Sequence, residues 1–161
     1  AVQASLTGHL VFSTLHTNDA VGAVARLRDL GMEPYLISST LLGVVAQRLV
    51  RMVCKSCRET LSVPPERLAP LGCGTISENV KISMGRGCSH CRNTGYWGRI
   101  GVYEVFPVSD ALKTMIHSGA DEGALREQAF KEGMTPLRYD ACRKLLSGKT
   151  SLDEVMRIAA T

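Results

Sequence analysis

Cys54-Lys55-Ser56-Cys57 and Cys88-Ser89-His90-Cys91 decide how this chain is held together. A C-x-x-C pair lets two thiolates reach one metal ion from a single tight turn, and two such pairs supply the four soft ligands of a closed tetrahedral zinc site. Residues 58–87 separate the pairs, a longer spacer than the commonest zinc ribbons use. Loop-closure entropy rises only logarithmically with length, so the spacer is no obstacle. Gly85, Gly87 and Gly95 flank the second pair, where the backbone must turn sharply. Four thiolates leave no coordination position for a substrate, so the zinc is read as structural and the chemistry is sought elsewhere. Two alternatives stand beside it, a pair of disulfides and a redox C-x-x-C. No signal-peptide pattern supports the first, and no thioredoxin-like βαβ context supports the second. Cys73 and Cys142 belong to neither pair and are expected to be free thiols, Cys142 as a small buried residue in a helical pattern.

The bulk properties narrow the class without naming it. The 161 residues suit one domain or two small ones, and a 45% hydrophobic content with only 5% aromatic residues predicts an aliphatic core. No apolar run reaches the roughly 18–20 residues of a membrane span. Residues 36–53 come nearest, but Ser38, Ser39, Gln47, Arg48 and Arg51 interrupt them. A net charge of +4 permits an acidic partner without requiring one. Reduced cysteines and the lack of an export pattern point to the cytoplasm. Ala1 opens in mid-pattern without an initiator Met, which reads as a piece of something longer.

Three segments follow from the pattern. In residues 1–53, Leu10-Val11-Phe12-Ser13-Thr14-Leu15 reads as a buried strand that ends in a polar cluster, His16-Thr17-Asn18-Asp19, with capping chemistry for the next helix. That helix, about 20–30, places Val21, Val24 and Leu27 on one face and stops at Gly31. Pro34 suits the first turn of a short helix, and the β-branched run 44–53 favours a strand. Ligands of α/β proteins bind beyond the carboxyl ends of strands. His16, at such an end beside several donors, is therefore a stronger site candidate than His9 at the strand's entrance. A lone loop histidine is also often just a satisfied surface residue. Residues 54–98 form the zinc module, where Pro64-Pro65, Pro70 and Gly72-Cys73-Gly74 predict loops and short helices with little regular structure. Zinc would then replace a core that this segment cannot build. In residues 99–161 a strand over Ile100–Phe106 leads into helices started by Ser109, Asp121 and Thr135-Pro136, with stops at Gly119, Gly133 and Gly148. Ser151 and Glu154 have capping-box spacing ahead of the last helix.

Gly148-Lys149-Thr150 imitates the end of a phosphate-binding loop, G-x-x-x-x-G-K-[ST]. The first glycine would have to stand where Arg143 is, and an amphipathic helix rather than a strand precedes it. The chain contains no P-loop.

The stretch from Ala1 through Gly8-His9-Leu10-Val11-Phe12-Ser13-Thr14-Leu15-His16-Thr17-Asn18-Asp19-Ala20 closely resembles the His box of the type II secretion and type IV pilus assembly ATPases. The likeness continues in order through Ala25-Arg26-Leu27, Pro34-Tyr35-Leu36-Ile37, Ala46-Gln47-Arg48-Leu49, the four cysteines, Gly98-Arg99-Ile100-Gly101-Val102-Tyr103-Glu104 and Gly148-Lys149-Thr150-Ser151-Leu152. It covers essentially the whole chain. It implies an α/β fold: the C-terminal part of a RecA-like P-loop ATPase core, an inserted tetracysteine zinc module and a C-terminal helical bundle. It also implies a homo-hexameric motor at the cytoplasmic face of the inner membrane, working with secretion or pilus platform proteins there. Walker A, the acidic box and Walker B of that family would precede Ala1, so ATP and Mg would bind only in the longer protein.

Carried over by position, His16 matches the His-box histidine near the γ-phosphate, a catalytic or phosphate-sensing group. His9 and Thr17 belong to the same box. Arg26 matches a family arginine, although a solvated helix arginine is the plainer reading. Gln47 and Arg48 match an element read as nucleotide-sensing or subunit-contacting. Cys54, Cys57, Cys88 and Cys91 match the family's zinc module, which retraction ATPases generally lack, and so favour secretion or assembly. Leu41-Leu42-Gly43-Val44 leans slightly to the secretion branch. A different class remains open: a non-enzymatic zinc ribbon that binds nucleic acid. The few aromatics and the basic residues scattered among acids speak against it, and no direct nucleic-acid contact is expected.

Overall fold

A computed structural model describes residues 2–73 and 77–159; Gly74, in the loop expected around residues 72–74, lies outside them. The chain divides into two compact units, residues 1–46 with 104–135 and residues 47–103 with 136–161. Two long strands, β1 (Gly43–Val53) and β4 (Tyr96–Pro107), pair as a two-stranded sheet, and each contributes to both units.

The first unit holds the helices α1 (Val2–Leu6), α2 (Gly22–Asp29), α3 (Pro34–Thr40), α5 (Asp110–His117) and α6 (Glu122–Lys131). Its core collects Val21, Val24, Ile37, Phe106, Leu112, Ile116 and Leu125. Local chemistry fixes the helix ends. Ser109 Oγ accepts from Leu112 N–H and Asp121 Oδ1 from Ala124 N–H, each satisfying a first-turn donor that has no partner within the helix. Gly31, Gly119 and Gly133 close their helices with positive φ. The Arg28 guanidinium donates to the carbonyls of Ile116 and Ala120, the opposite charge at the negative end of α5.

The strand expected over residues 10–15 does not form. The segment is irregular and joins neither sheet, with Leu10 and Phe12 69% and 89% exposed. An apolar run becomes a strand only where a neighbour completes its ladder, and none of the described strands does so here.

The second unit is built on β2 (Arg58–Val63) and β3 (Val80–Gly85), antiparallel from Arg58↔Gly85 to Val63↔Val80, with α4 (Pro65–Leu68), α7 (Leu137–Leu146) and α8 (Leu152–Ala159). Residues 54–98 were expected to have little regular structure and no core of their own. They instead contribute this hairpin, and Val63, Leu68, Leu71 and Ile82 pack with Val102, Leu145, Leu152, Val155 and Ile158. The prolines confine themselves to the ends, at Pro64, Pro65 and Pro70, where no ladder donor is needed. Cys73 and Cys142 are likewise not free thiols. They are joined by a disulfide with a Cα–Cα distance of 5.2 Å, although Cys142 is buried as expected.

Gly148 ends α7 with φ +70°, and the following Thr150 Oγ1 donates to the Arg51 carbonyl. The segment that imitates a P-loop is a helix stop docked on β1. Half of the expected capping box forms, with Glu154 N–H reaching Ser151 Oγ at 3.4 Å. The Glu154 carboxylate turns the other way, to the Arg51 backbone N–H at 2.7 Å and to the guanidinium groups of Arg51 and Arg157. Burial opposes its charge, yet these donors hold its carboxyl below the usual range. Glu154→Leu is expected to lower stability by about 1–3 kcal/mol, because Arg51 N–H and both guanidinium groups lose their acceptor. An unchanged urea midpoint at pH 7 would remove Glu154 from the unit's supports.

Candidate metal centre and the histidine-bearing loop

The four knuckle thiols converge. Their Sγ atoms all lie within 4.8 Å of one another, at 4.0 Å for Cys54–Cys88, 3.8 Å for Cys57–Cys91 and 3.7 Å for Cys88–Cys91. A tetrahedron with metal–sulfur bonds of about 2.3 Å has edges of about 3.8 Å, so the donor set fits a metal of zinc's size and geometry. Such an ion, when bound, acts as a closed cross-link between the two knuckles.

Backbone shape brings the thiols together. Cys54 leads from β1 into a 3₁₀ turn at Lys55–Cys57, while the second knuckle turns through Arg92 and Asn93, both at positive φ. Cys54 N–H donates to the Gly95 carbonyl and Arg86 N–H to the Cys57 carbonyl, tying each knuckle to the other's flank. Gly85 and Gly95 are required there. A Cβ on Gly85 would lie 2.0 Å from the Gly95 oxygen, and one on Gly95 would lie 2.4 Å from the Gly85 oxygen.

Amides surround the sulfurs unevenly. Cys91 Sγ receives the N–H groups of Cys88 and Gly95, and Cys57 Sγ receives that of Gly87. Burial works against the Cys91 thiolate, but the two amides outweigh it and bring the thiol down to about 6. At Cys57 burial dominates its single amide, and the thiol is pushed up to about 12. Such amide–sulfur bonds orient metal ligands and tune them. His90 and Trp97 stack beside the second knuckle with ring centroids 4.4 Å apart.

The other candidates are more dispersed. His16 is exposed in the irregular segment, and His9 is exposed with Nδ1 3.2 Å from Thr7 Oγ1. Thr17 is half-buried and its Oγ1 donates to the Asp19 carbonyl. Arg26 is exposed on α2. Gln47, exposed, and Arg48, half-buried, lie on the part of β1 that belongs to the other unit.

Two residues that pattern reading passed over stand at the loop's end. Glu104 Oε1 accepts the Ala20 N–H at 2.8 Å, and Arg126 Nη2 donates to Asp19 Oδ2 at 2.8 Å. Burial opposes the Arg126 charge, but its hydrogen bonds to Asp19 and Glu122 raise its pKa above the ordinary value. Glu104 did carry a signal, as a carboxylate at the inward position of β4 between buried Val102 and Phe106.

The family model described as "Type II/IV secretion system protein" matches residues 1–157. This chain belongs to that family. Over 158 residues this secretion-family chain is 51% identical to the Type II secretion system ATPase E of Vibrio cholerae, which covers 98% of the chain and 31% of that relative. It is 46% identical over 164 residues to the Type IV pilus assembly ATPase TfpB of Acinetobacter baylyi, 98% of the chain and 27% of the relative. A similar identity, 46% over 160 residues, relates it to the Putative type II secretion system protein E of Escherichia coli, 99% of the chain and 32% of the relative. The secretion-family chain thus spans under a third of the length of these relatives. Among its described residues, no helix is long and apolar enough to cross a membrane.

Proposed function

We propose that this chain is the phosphate-sensing and zinc-bearing part of a cytoplasmic, homo-hexameric ATPase that drives type II protein secretion by assembling a pseudopilus. The observation that carries the reading is 51% identity, across 98% of the chain, to a relative named as a type II secretion ATPase. The pilus assembly ATPase of Acinetobacter baylyi is 46% identical, no less than the secretion protein E of Aeromonas hydrophila at 44%, so the preference for the secretion branch rests on the relative at 51% and on Leu41-Leu42-Gly43-Val44.

In this reading residues 1–53 complete a RecA-like core whose P-loop, binding ATP and Mg, lies outside these 161 residues. The apolar face of residues 10–15 finds its strand neighbours in that core. His16 sits by the γ-phosphate, where an imidazole N–H senses that group or stabilises its charge during transfer. His9 and Thr17 shape the same box, while Arg26, Gln47 and Arg48 sense nucleotide or contact the next subunit. Cys54, Cys57, Cys88 and Cys91 hold zinc as a structural cross-link, in a module (residues 54–98) that inner-membrane platform proteins meet at the cytoplasmic face. Residues 99–161 supply the closing strand and the C-terminal helices.

ATP turnover measured on three proteins tests this. The full-length protein is expected to hydrolyse ATP, its His16→Ala variant to do so about a hundredfold more slowly, and the 161-residue chain not at all. Turnover by the chain alone, or a His16→Ala variant as fast as the parent, would overturn the assignment.

A further inference from the structure

The segment that carries His16 is irregular and exposed, yet it ends on a point of unusual order. Ala20 and Val21 are fully buried. Just before them Asp19 uses both carboxylate oxygens, Oδ1 for the Gly22 N–H at 2.8 Å and Oδ2 for Arg126 at 2.8 Å. Thr17 Oγ1 closes a small turn onto the Asp19 carbonyl at 2.9 Å. Ala20 N–H, a donor with no place in either sheet or helix, is taken by Glu104 at 2.8 Å, from a strand position 84 residues further along the chain. Three elements therefore converge on four residues: α2 through its own cap, α6 through Arg126, and β4 through Glu104.

Hydrophobic packing does not call for Glu104. Its position on β4 lies between Val102 and Phe106, all three nearly inaccessible to water. A carboxylate there loses its hydration, a cost that an apolar side chain of the same size would avoid. Apolar residues in place of a buried carboxylate and its partner together are often neutral for stability, so packing alone gives no reason for a charge at this position. What the carboxylate supplies is a directional acceptor that fixes the backbone at Ala20, four residues from His16.

We infer that Glu104 and Arg126 are positioning residues for the histidine-bearing loop, setting where the His16 imidazole meets a nucleotide phosphate. The inference rests on the function proposed above for His16. Neither residue touches the phosphate; each acts through the turn at residues 17–20. Reacting groups held within a fraction of an ångström account for much of an enzyme's rate, and a displacement of about 1 Å can cost a hundredfold.

The experiment uses the full-length protein with Glu104→Met, Glu104→Gln and Arg126→Met, read by steady-state ATP turnover, thermal melting and hydrogen exchange of peptides covering residues 16–24. Gln keeps a carbonyl oxygen for Ala20 N–H, whereas Met keeps only the shape. Glu104→Met is expected to lower kcat about tenfold or more at temperatures where it remains folded, with a melting temperature only a few degrees lower, faster exchange over 16–24 and KM for ATP within about twofold. Glu104→Gln should stay within about threefold of the parent, and that rescue separates an acceptor role from mere bulk. A folded Glu104→Met that turns over and exchanges like the parent overturns the inference. If Glu104→Met does not fold, Arg126→Met decides: a similar kcat loss supports the inference, and parental turnover overturns it. A parent without ATPase activity defeats the functional reading instead. In that case hydrogen exchange still decides the anchoring, with unchanged exchange in both Met variants overturning it.

Discussion

Removal of metal by a strong chelator at pH 7 is expected to unfold the two knuckles and strip the second unit of much of its stability. Four thiols within 4.8 Å of one another are held by a few amide–sulfur contacts and by turns that put Arg92 and Asn93 at positive φ. Without a metal nothing offsets that backbone cost or the crowding of the sulfurs. Structural zinc in small modules binds with an apparent free energy of about 10–16 kcal/mol, comparable to the entire stability of a domain. The second unit also has an aliphatic core, so its collapse need not be complete. The knuckles themselves, residues 54–57 and 87–95, should lose all protection against exchange. About one zinc per chain is the expected content.

Proton release gives a second readout. The metal binds thiolates, so each thiol still protonated must give up its proton. In the unfolded knuckles the amides that lower the Cys91 thiol and the burial that raises the Cys57 thiol are both lost, so all four thiols are mostly protonated at pH 7. Zinc added to the apo chain should therefore release close to one proton for each of the four thiols. Metal retention should fall as pH drops, because protons then compete for every sulfur. A metal-free chain with parental melting and slow thiol labelling would sink the zinc assignment.

What the sequence made legible was local. The capping roles of Ser109 and Asp121 depend on neighbours three residues away, and the helix stops at Gly31, Gly119, Gly133 and Gly148 depend on one residue's φ. The convergence of the knuckles was legible because a C-x-x-C pair is itself a local constraint and only one further closure was needed. Features decided by distant partners were not legible. Leu10–Leu15 has a strand's composition but no ladder among the described strands, and residues 58–63 pair with 80–85 across a proline-rich stretch that reads as loop. Glu154 has a capping residue's spacing, yet Arg51, 103 residues earlier, takes its carboxylate. Glu104 shows only as a charge in an apolar alternation, and its purpose appears once Ala20 is seen beside it. The tetracysteine centre was thus readable almost whole, while the surroundings of the His16 loop needed the fold.

The disulfide between Cys73 and Cys142 should carry the other large stability effect. Its ends are 69 residues apart, and cross-linking a loop of that length removes entropy from the unfolded chain worth about 4 kcal/mol in the chain-entropy model. Both cysteines are buried in the core of the second unit among Leu71, Leu145 and Val155, so the bond joins the turn after α4 to the middle of α7. Four further cysteines are free, and a labelling count distinguishes the two sets. The denatured, metal-free chain should show four reactive thiols without reductant and six with it. Cys73→Ala with Cys142→Ala should lower the urea-derived stability by about 2–5 kcal/mol at unchanged zinc content. The buried position delays reductants, so the parent should lose the same amount only after reduction in denaturant and refolding with zinc present. Six reactive thiols in the chain as isolated, with a double variant as stable as the parent, would return Cys73 and Cys142 to the role of plain buried thiols. In that case the second unit would be held by the metal centre and its aliphatic core alone.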